Sequence, residues 1–133
     1  MIRNRMYIDG NWRAGRSGEQ RDIINPYDGS TIARVAEGTR ADARDAIAAA
    51  RRTFDSGAWP RTPAVKRAGL LFRLAERVER EAEDLAALES LDTGKTLEES
   101  RWDMADIAGI FRYYAGLADK NGGEVIDSPH PDT

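Results

Sequence analysis

The tripeptide Gly94-Lys95-Thr96 is the first place where residue types and spacing suggest chemistry, because Gly-Lys-Thr closes the phosphate-binding P-loop. That loop needs another glycine five residues before Gly94, so that successive backbone N–H groups can wrap a phosphate. Position 89 is a glutamate, whose carboxylate would repel phosphate. The preceding residues have a charged helical pattern where a buried strand is required. We therefore reject nucleotide binding at this loop.

Two carboxylates, Asp103 and Asp106, follow Trp102 in the stretch SRWDMADIAG. They lie one helical turn apart and could face a cationic ligand together, with the indole adding cation–π attraction of about 0.5–2 kcal/mol. Spacing alone favours a plainer interpretation, in which the acidic face is solvated and the tryptophan packs against a neighbouring helix.

Asp92 ends a predicted helix just before Gly94, where the helix dipole disfavours negative charge. A compensating positive charge is expected. Lys95 or Arg101 could supply it through an ordinary salt bridge, which is the simpler expectation. A bound monovalent or divalent cation, held by this carboxylate and nearby carbonyl oxygens, is the alternative.

Other catalytic signatures are weak. The sole histidine, His130, stands between two prolines in a polar tail, which predicts a solvated loop residue rather than a general base. No nucleophile-elbow sequence supports Ser-His-Asp chemistry. The sequence contains no cysteine, so these residues offer no disulfide, thiolate zinc site or thiol nucleophile.

Residues 1–38 are predicted to form two β ribbons. The first turns at Asp9-Gly10 within apolar segment 6–12, and this dipeptide is a hairpin signal. The second joins Ile23-Ile24 to the strand Thr31–Val35 through the breaker-rich turn Asn25–Gly29.

Residues 39–118 are predicted to hold about four helices. A capping box of Thr39 and Asp42 begins the first, which ends near Asp55 and gathers its apolar residues on one face: Ala43, Ala46, Ile47, Ala50 and Phe54. After the linker Ser56–Pro60, Thr62 is the predicted N-cap of the second helix and Pro63 its first residue. Its predicted buried stripe is Leu70, Leu71, Leu74 and Val78, with Arg67 outside.

The third helix carries Leu85, Leu88 and Leu91 and stops at Thr93-Gly94, where glycine can adopt the left-handed conformation. A second capping box, Thr96 and Glu99, begins a fourth helix from Leu97 to about Ala118. Residues 119–133 are predicted to be extended, with a short strand at Val125-Ile126. The opening tripeptide is thus explained as a helix stop followed by a helix start.

Size and charge exclude several classes of protein. The 133 residues suffice for one domain or a piece of a larger one, and the net charge of −3 with dispersed basic residues argues against nucleic-acid binding. The first residues lack the apolar run of a signal peptide, and no stretch is apolar enough to cross a membrane. We expect a cytoplasmic protein.

Four segments together resemble the amino-terminal part of the aldehyde dehydrogenase superfamily, in order and spacing: YIDGNW, the stretch from Ile24 to Pro60, LAALESLDTGKTLEES and FRYYAGLADKNGGEVI. The resemblance extends from about Met6 onward. ESLDTGKTLEES and GLADKNGGEVIDSP are most similar to the branch that oxidises betaine aldehyde and related aminoaldehydes.

The resemblance implies an NAD(P)-dependent oxidoreductase in which a cysteine attacks the aldehyde, an asparagine and a backbone amide stabilise the oxyanion, and a glutamate activates water. The chain stops before the family's Pro-Trp-Asn segment, and the asparagine, glycine-rich coenzyme turn, glutamate and cysteine are absent. No catalytic or coenzyme-binding residue is therefore expected here. Alone, the chain is expected to be inactive and unable to bind NAD(P).

The implied fold class is an α/β fragment: β ribbons and about four helices that cover the NAD(P)-binding domain, followed by residues 119–133 leading to the oligomerisation hairpin. Most of the parallel sheet and the catalytic domain are absent. The implied partners are the remainder of the dehydrogenase, its aldehyde substrate and, when complete, further copies in a homo-oligomer. A non-catalytic truncated relative, acting as an interaction or complementing subunit, is the alternative.

Two sets of site residues come from the resemblance. Members of the betaine aldehyde type bind a structural K⁺ or Na⁺ through carbonyls matching Ile23 and Ile24 and a carboxylate matching Asp92, with a remaining ligand from sequence not present here. Aminoaldehyde-oxidising members place a Trp-Asp-x-x-Asp run, matching Trp102, Asp103 and Asp106, at the mouth of the substrate channel, which implies cation attraction.

Overall fold

Two antiparallel ribbons followed by four α-helices make up the described part of the chain, as the sequence predicts. The computed structural model describes residues 4–124. In the first ribbon, β1 (Met6–Ile8) pairs with β2 (Asn11–Arg13). Its two turn residues, Asp9 and Gly10, both have positive φ, 54° and 77°. A two-residue hairpin turn whose twist matches that of the flanking strands requires positive φ at both turn residues. The predicted hairpin is therefore confirmed.

The second ribbon carries a row of apolar side chains on one face and an Asp22–Arg34 ion pair on the other. Its strands are β3 (Gln20–Ile24) and β4 (Thr31–Ala36), and Ile23 lies opposite Ala33. Side chains alternate between faces along a strand, so Ile23, Ala33 and Val35 share one face. On the other face Arg34 Nε lies 2.6 Å from Asp22 Oδ1. The apolar face is turned toward the helices.

Helix α1 (Arg40–Ser56) begins with the predicted capping box of Thr39 and Asp42. The side of α1 that meets the first ribbon carries Asp42 and Ala49, which are buried. The predicted apolar face is instead largely in solvent, since Ile47 and Phe54 are 69% and 66% exposed.

The start of the second helix was predicted one residue too early. A single 3₁₀ turn, Trp59–Arg61, occupies part of the expected linker, and α2 spans Ala64–Arg80 with Pro63 as its N-cap residue. The hydroxyl of Thr62 donates to the carbonyl of Ala58, 2.8 Å away, across the 3₁₀ turn, and no side chain caps α2.

The buried stripe of α2 also differs from the prediction. Leu70 and Leu74 are each 41% exposed, whereas Ala75 is completely buried. Leu71 and Val78 are half-buried, and so is Arg67, which was predicted to lie outside. The face that packs on α4 is therefore rotated from the leucine-rich one toward smaller side chains, because alanine allows the two helices a close approach.

Helices α3 (Ala82–Thr93) and α4 (Leu97–Leu117) are joined as predicted. Gly94 ends α3 at φ 77°, and Thr96 and Glu99 form the capping box that begins α4. Helix rather than strand precedes Gly94, which confirms that this is not a P-loop.

Helix α4 packs along both α2 and α3, and the side chains between them are small. Among the described residues the buried hydrophobic side chains are five alanines and Met104. Twenty large hydrophobic side chains in the same range remain exposed. The described helices include none long and apolar enough to cross a membrane. The predictions for Val125, Ile126 and His130 lie outside the described residues.

Candidate functional site

A cavity of about 610 Å³ separates the apolar face of the second ribbon from α3 and α4. Ile23 lines it from the ribbon and Asp92 from the last turn of α3. Two of the three residues of the predicted cation set thus share one cavity, although they are far apart in sequence. Ile24 lies beside Ile23 at a register shift in the ribbon, where the ladder of hydrogen bonds is locally disrupted.

The approach of α3 to the second ribbon is fixed by a close contact. The turn after β3 is held by Asn25, whose side chain is buried and accepts from the Tyr27 N–H at 2.9 Å. Pro26 in this turn lies against Gly94 at the left-handed end of α3. A side chain at position 94 would collide with the proline ring, so the glycine lets Asp92 come near the ribbon.

The salt bridge expected for Asp92 is not formed. Lys95 Nζ instead contacts Glu89 Oε1 at 2.8 Å and pairs with Asp103. Arg101 pairs with Glu83 at 2.8 Å. Both expected cations are engaged elsewhere because α4 packs beside α3, and Asp92 has no ion pair within residues 4–124.

Lys95 is therefore a bridge between α3 and α4. The carboxylates of Asp103 and Glu89 together raise the pKa of its ammonium group. One cation serves two anions here, and Asp92 lies one turn beyond Glu89 on α3, so the surroundings of the cavity are negative overall. A further positive charge would be favoured there.

Glu89 has a chemical feature that sequence analysis missed. Its Oε2 atom is inaccessible to solvent and accepts no hydrogen bond from residues 4–124. The sequence identified Glu89 only as a residue that prevents a P-loop. Its i, i+3 spacing to Asp92 could have indicated that both carboxylates belong to one face of α3.

The described part of the chain contains no cluster of three or more His, Cys, Asp or Glu side chains able to hold a metal ion. A cation held mainly by main-chain carbonyls and one carboxylate would not need such a cluster. The unpaired Asp92 and the disrupted ladder at Ile23 and Ile24 are compatible with such a site.

The predicted set of Trp102, Asp103 and Asp106 does not form one continuous binding site. Trp102 is 62% exposed, so its predicted packing against a neighbouring helix was wrong. Asp103 is bound by Lys95. Asp106 is exposed, one turn beyond Trp102, and borders a shallow depression of about 630 Å³ along α4. Trp102 and Asp106 are thus available to a cation, whereas Asp103 is already neutralised.

A second buried carboxylate, Asp42, joins the first ribbon to α1. It is 1% exposed, and its Oδ2 accepts from the Thr39 hydroxyl at 2.7 Å, the Thr39 N–H at 2.9 Å and the Arg16 N–H at 3.1 Å. These hydrogen bonds, led by Thr39, lower its pKa to about 2. Sequence analysis identified the capping role but not the link to the ribbon.

Comparison with known proteins identifies a family model, described as the aldehyde dehydrogenase family, that matches residues 12–133. The betaine aldehyde dehydrogenase of Bacillus subtilis is 55% identical over 128 residues, covering 96% of this chain and 26% of the relative. The mitochondrial benzaldehyde dehydrogenase of Antirrhinum majus is 40% identical over 130 residues.

This chain is also similar to solved structures of betaine aldehyde dehydrogenase. Betaine aldehyde dehydrogenase from Staphylococcus aureus, in complex with NAD⁺, superposes with a TM-score of 0.91 at 53% identity. The alignment covers 98% of this chain and 26% of that one. The chain thus spans about a quarter of the length of these relatives.

Proposed function

The chain belongs to the aldehyde dehydrogenase family, and we propose that it forms the amino-terminal part of an NAD(P)-dependent enzyme that oxidises betaine aldehyde or an aminoaldehyde to its acid. The observation that carries this proposal is the continuous match, over 96% of the chain, to a betaine aldehyde dehydrogenase at 55% identity. The NAD⁺ complex of the Staphylococcus aureus relative supports the coenzyme class.

By itself the chain has a supporting role in this reaction. Attack on an aldehyde carbon by a thiolate needs cysteine, and the 133 residues contain none. They also lack a glycine-rich dinucleotide turn, so the residues present do not fit NAD(P). We therefore assign residues 1–133 to the covering layer of a coenzyme-binding domain, and assign turnover to the remainder of the polypeptide.

A structural K⁺ or Na⁺ bound at Ile23, Ile24 and Asp92 is part of the proposal. The cavity shared by Ile23 and Asp92 supports it, as does the lack of any salt bridge to that carboxylate among residues 4–124. A cation there would offset the repulsion between Asp92 and the negative end of the α3 dipole. Its role would be to join the second ribbon to α3, away from the chemistry.

Attraction of a cationic aldehyde would fall to Trp102 and Asp106. Both are exposed on α4 at i, i+4 spacing, so they lie on one side of the helix. The bond to Lys95 removes Asp103 from this role and makes it a structural residue instead. This assignment divides the Trp-Asp-x-x-Asp run between two functions.

A second candidate function is a non-catalytic subunit that docks on, or complements, a separately encoded remainder. Large hydrophobic side chains are exposed, including Phe54 and Tyr113 at 66% and 64%. This exposure favours packing against a partner, whether that partner is the rest of the same polypeptide or a separately encoded chain. An autonomous module would be expected to bury such residues.

The test is expression of the complete reading frame that contains this chain at its source locus, followed by measurement of NAD(P)H formation. Betaine aldehyde is the substrate, and 3,3-dimethylbutanal, its neutral isostere, is the matched control. The proposal predicts turnover with preference for the cationic aldehyde. Equal rates would overturn the substrate class, and no turnover with any aldehyde would favour the non-catalytic subunit.

A further inference from the structure

Lys95 brings a positive charge to the side of α4 that carries the proposed cation-attracting residues. It stands in the short connection between α3 and α4, and its Nζ pairs with Asp103. Asp103 follows Trp102 directly and lies one turn before Asp106. Side chains at this i, i+3 spacing are neighbours on a helix, with Cβ atoms about 5–6 Å apart. The ammonium group of Lys95 is therefore held within about one helical turn of Asp106.

The charge of Lys95 is anchored from two helices. Its side chain is 31% exposed, and its Nζ contacts Glu89 Oε1 on α3 at 2.8 Å as well as the carboxylate of Asp103 on α4. The hydrogen bonds from Nζ to Asp103 and Glu89 raise the pKa of Lys95, so its charge is present at neutral pH. The ammonium group leaves this position only by breaking both ion pairs.

The charge balance on this side of α4 depends on that one lysine. Arg101, the other cation near the run in sequence, pairs with Glu83 on the first turn of α3 at 2.8 Å. Within residues 4–124 no lysine or arginine besides Lys95 pairs with Asp103, and Asp106 is exposed without an ion pair. Of the two aspartates, only Asp106 therefore presents an uncompensated negative charge.

We propose that Lys95 is a specificity-determining residue, which limits the attraction of α4 for cationic aldehydes by neutralising Asp103 and leaving Asp106 as the net negative charge. This inference rests on the proposed function for the position of α4 at the entrance of the substrate channel. Lys95 acts through Asp103 and through its own field, without contact with the aldehyde. Its effect is therefore confined to charged substrates and weakens as salt is added.

The experiment uses the complete enzyme encoded at the source locus and measures kcat/KM for betaine aldehyde and for its neutral isostere, 3,3-dimethylbutanal. The specificity ratio is the first value divided by the second. Lys95→Met removes the charge but keeps an apolar stem, and should raise the ratio by about threefold at low ionic strength. Salt at about 1 M should remove most of this gain by screening. Lys95→Arg keeps the charge and should leave the ratio unchanged.

A double variant separates this role from direct contact between Asp103 and the aldehyde. Asp103→Asn alone should lower the ratio, because the charge of Lys95 is then less compensated. Lys95→Met combined with Asp103→Asn removes both charges of the pair and should restore the ratio of the unaltered enzyme. A ratio that stays low in the double variant would overturn the inference. Circular dichroism checks folding, and the double variant decides the outcome if Lys95→Met alone does not fold.

Lys120→Met is the matched control, because Lys120 is an exposed, ion-paired lysine beyond the carboxyl end of α4. It should leave the ratio unchanged. An unchanged ratio in Lys95→Met, or an equal loss of both activities, would show that Lys95 only joins α3 to α4 and would overturn the inference alone. No turnover of either aldehyde by the unaltered enzyme would overturn the proposed function, and the inference with it.

Discussion

A Cβ atom added to Gly94 would lie 2.8 Å from Cγ of Pro26, so the left-handed end of α3 packs directly on the turn that follows β3. Gly94 has φ 77°, a conformation that other residues adopt at a cost. This contact brings the helix end that carries Asp92 to the ribbon that carries Ile23.

Gly94→Ala is expected to destabilise the chain, because it adds backbone strain of about 1–3 kcal/mol to a steric clash. The free energy of unfolding, measured with urea, checks the total. Pro26→Ala removes the clash but not the strain, so the double variant should recover part of the loss. Additive effects of the two substitutions would contradict direct packing between these residues.

Asp42 is expected to make the free energy of unfolding depend on pH in the acidic range. Its pKa is lowered in the folded chain from an ordinary value of 3.8 to about 2, chiefly by hydrogen bonds from Thr39. Its contribution is therefore complete above pH about 4 and is lost as the pH falls toward 2. Asp42→Asn should flatten the unfolding free energy over this range. Asp106→Asn, at an exposed position, is the control for loss of one carboxylate.

The fold was predictable where its causes are local. Both capping boxes, the Asp9-Gly10 hairpin and the Gly94 stop depend on residues within four positions of one another, and all four are observed. The buried stripe of α2 was not predictable in this way. Apolar residues cover more than one side of α2, and only the fit to α4 selects the side that contains Ala75.

The partners of charged residues were less predictable than the helices. Lys95 is three residues from Asp92, yet it bonds to Glu89 and Asp103 because α4 returns beside α3. The spacing of these residues along the sequence does not predict that tertiary contact. For the same reason, Trp102 and Asp103 have different surroundings although they are adjacent.

Asp92→Asn is expected to stabilise the 133-residue chain in buffer free of K⁺ and Na⁺. An unpaired carboxylate at the carboxyl end of α3 opposes the helix dipole by about 0.3–1 kcal/mol. Asp84 provides the matched control, since it lies in the first turn of the same helix and Asp84→Asn should destabilise. The measurement is the urea unfolding free energy at low ionic strength. Destabilisation by Asp92→Asn would show that this carboxylate has a stabilising partner.

The proposed cation should reverse the sign of that substitution in the complete enzyme. With K⁺ present, Asp92→Asn removes a ligand and is expected to lower the midpoint of thermal unfolding. Without K⁺ or Na⁺, in tetramethylammonium chloride of equal ionic strength, the same substitution should not lower it. A decrease of equal size in both salts would contradict a cation at Asp92.

The nucleotide sequence that follows the Thr133 codon at the source locus tests the central claim most directly. Membership of a working dehydrogenase predicts an open frame that continues into a Pro-Trp-Asn segment and, later, a cysteine. A stop codon at this point, with no such frame after it, would contradict the claim that the chain is part of an enzyme.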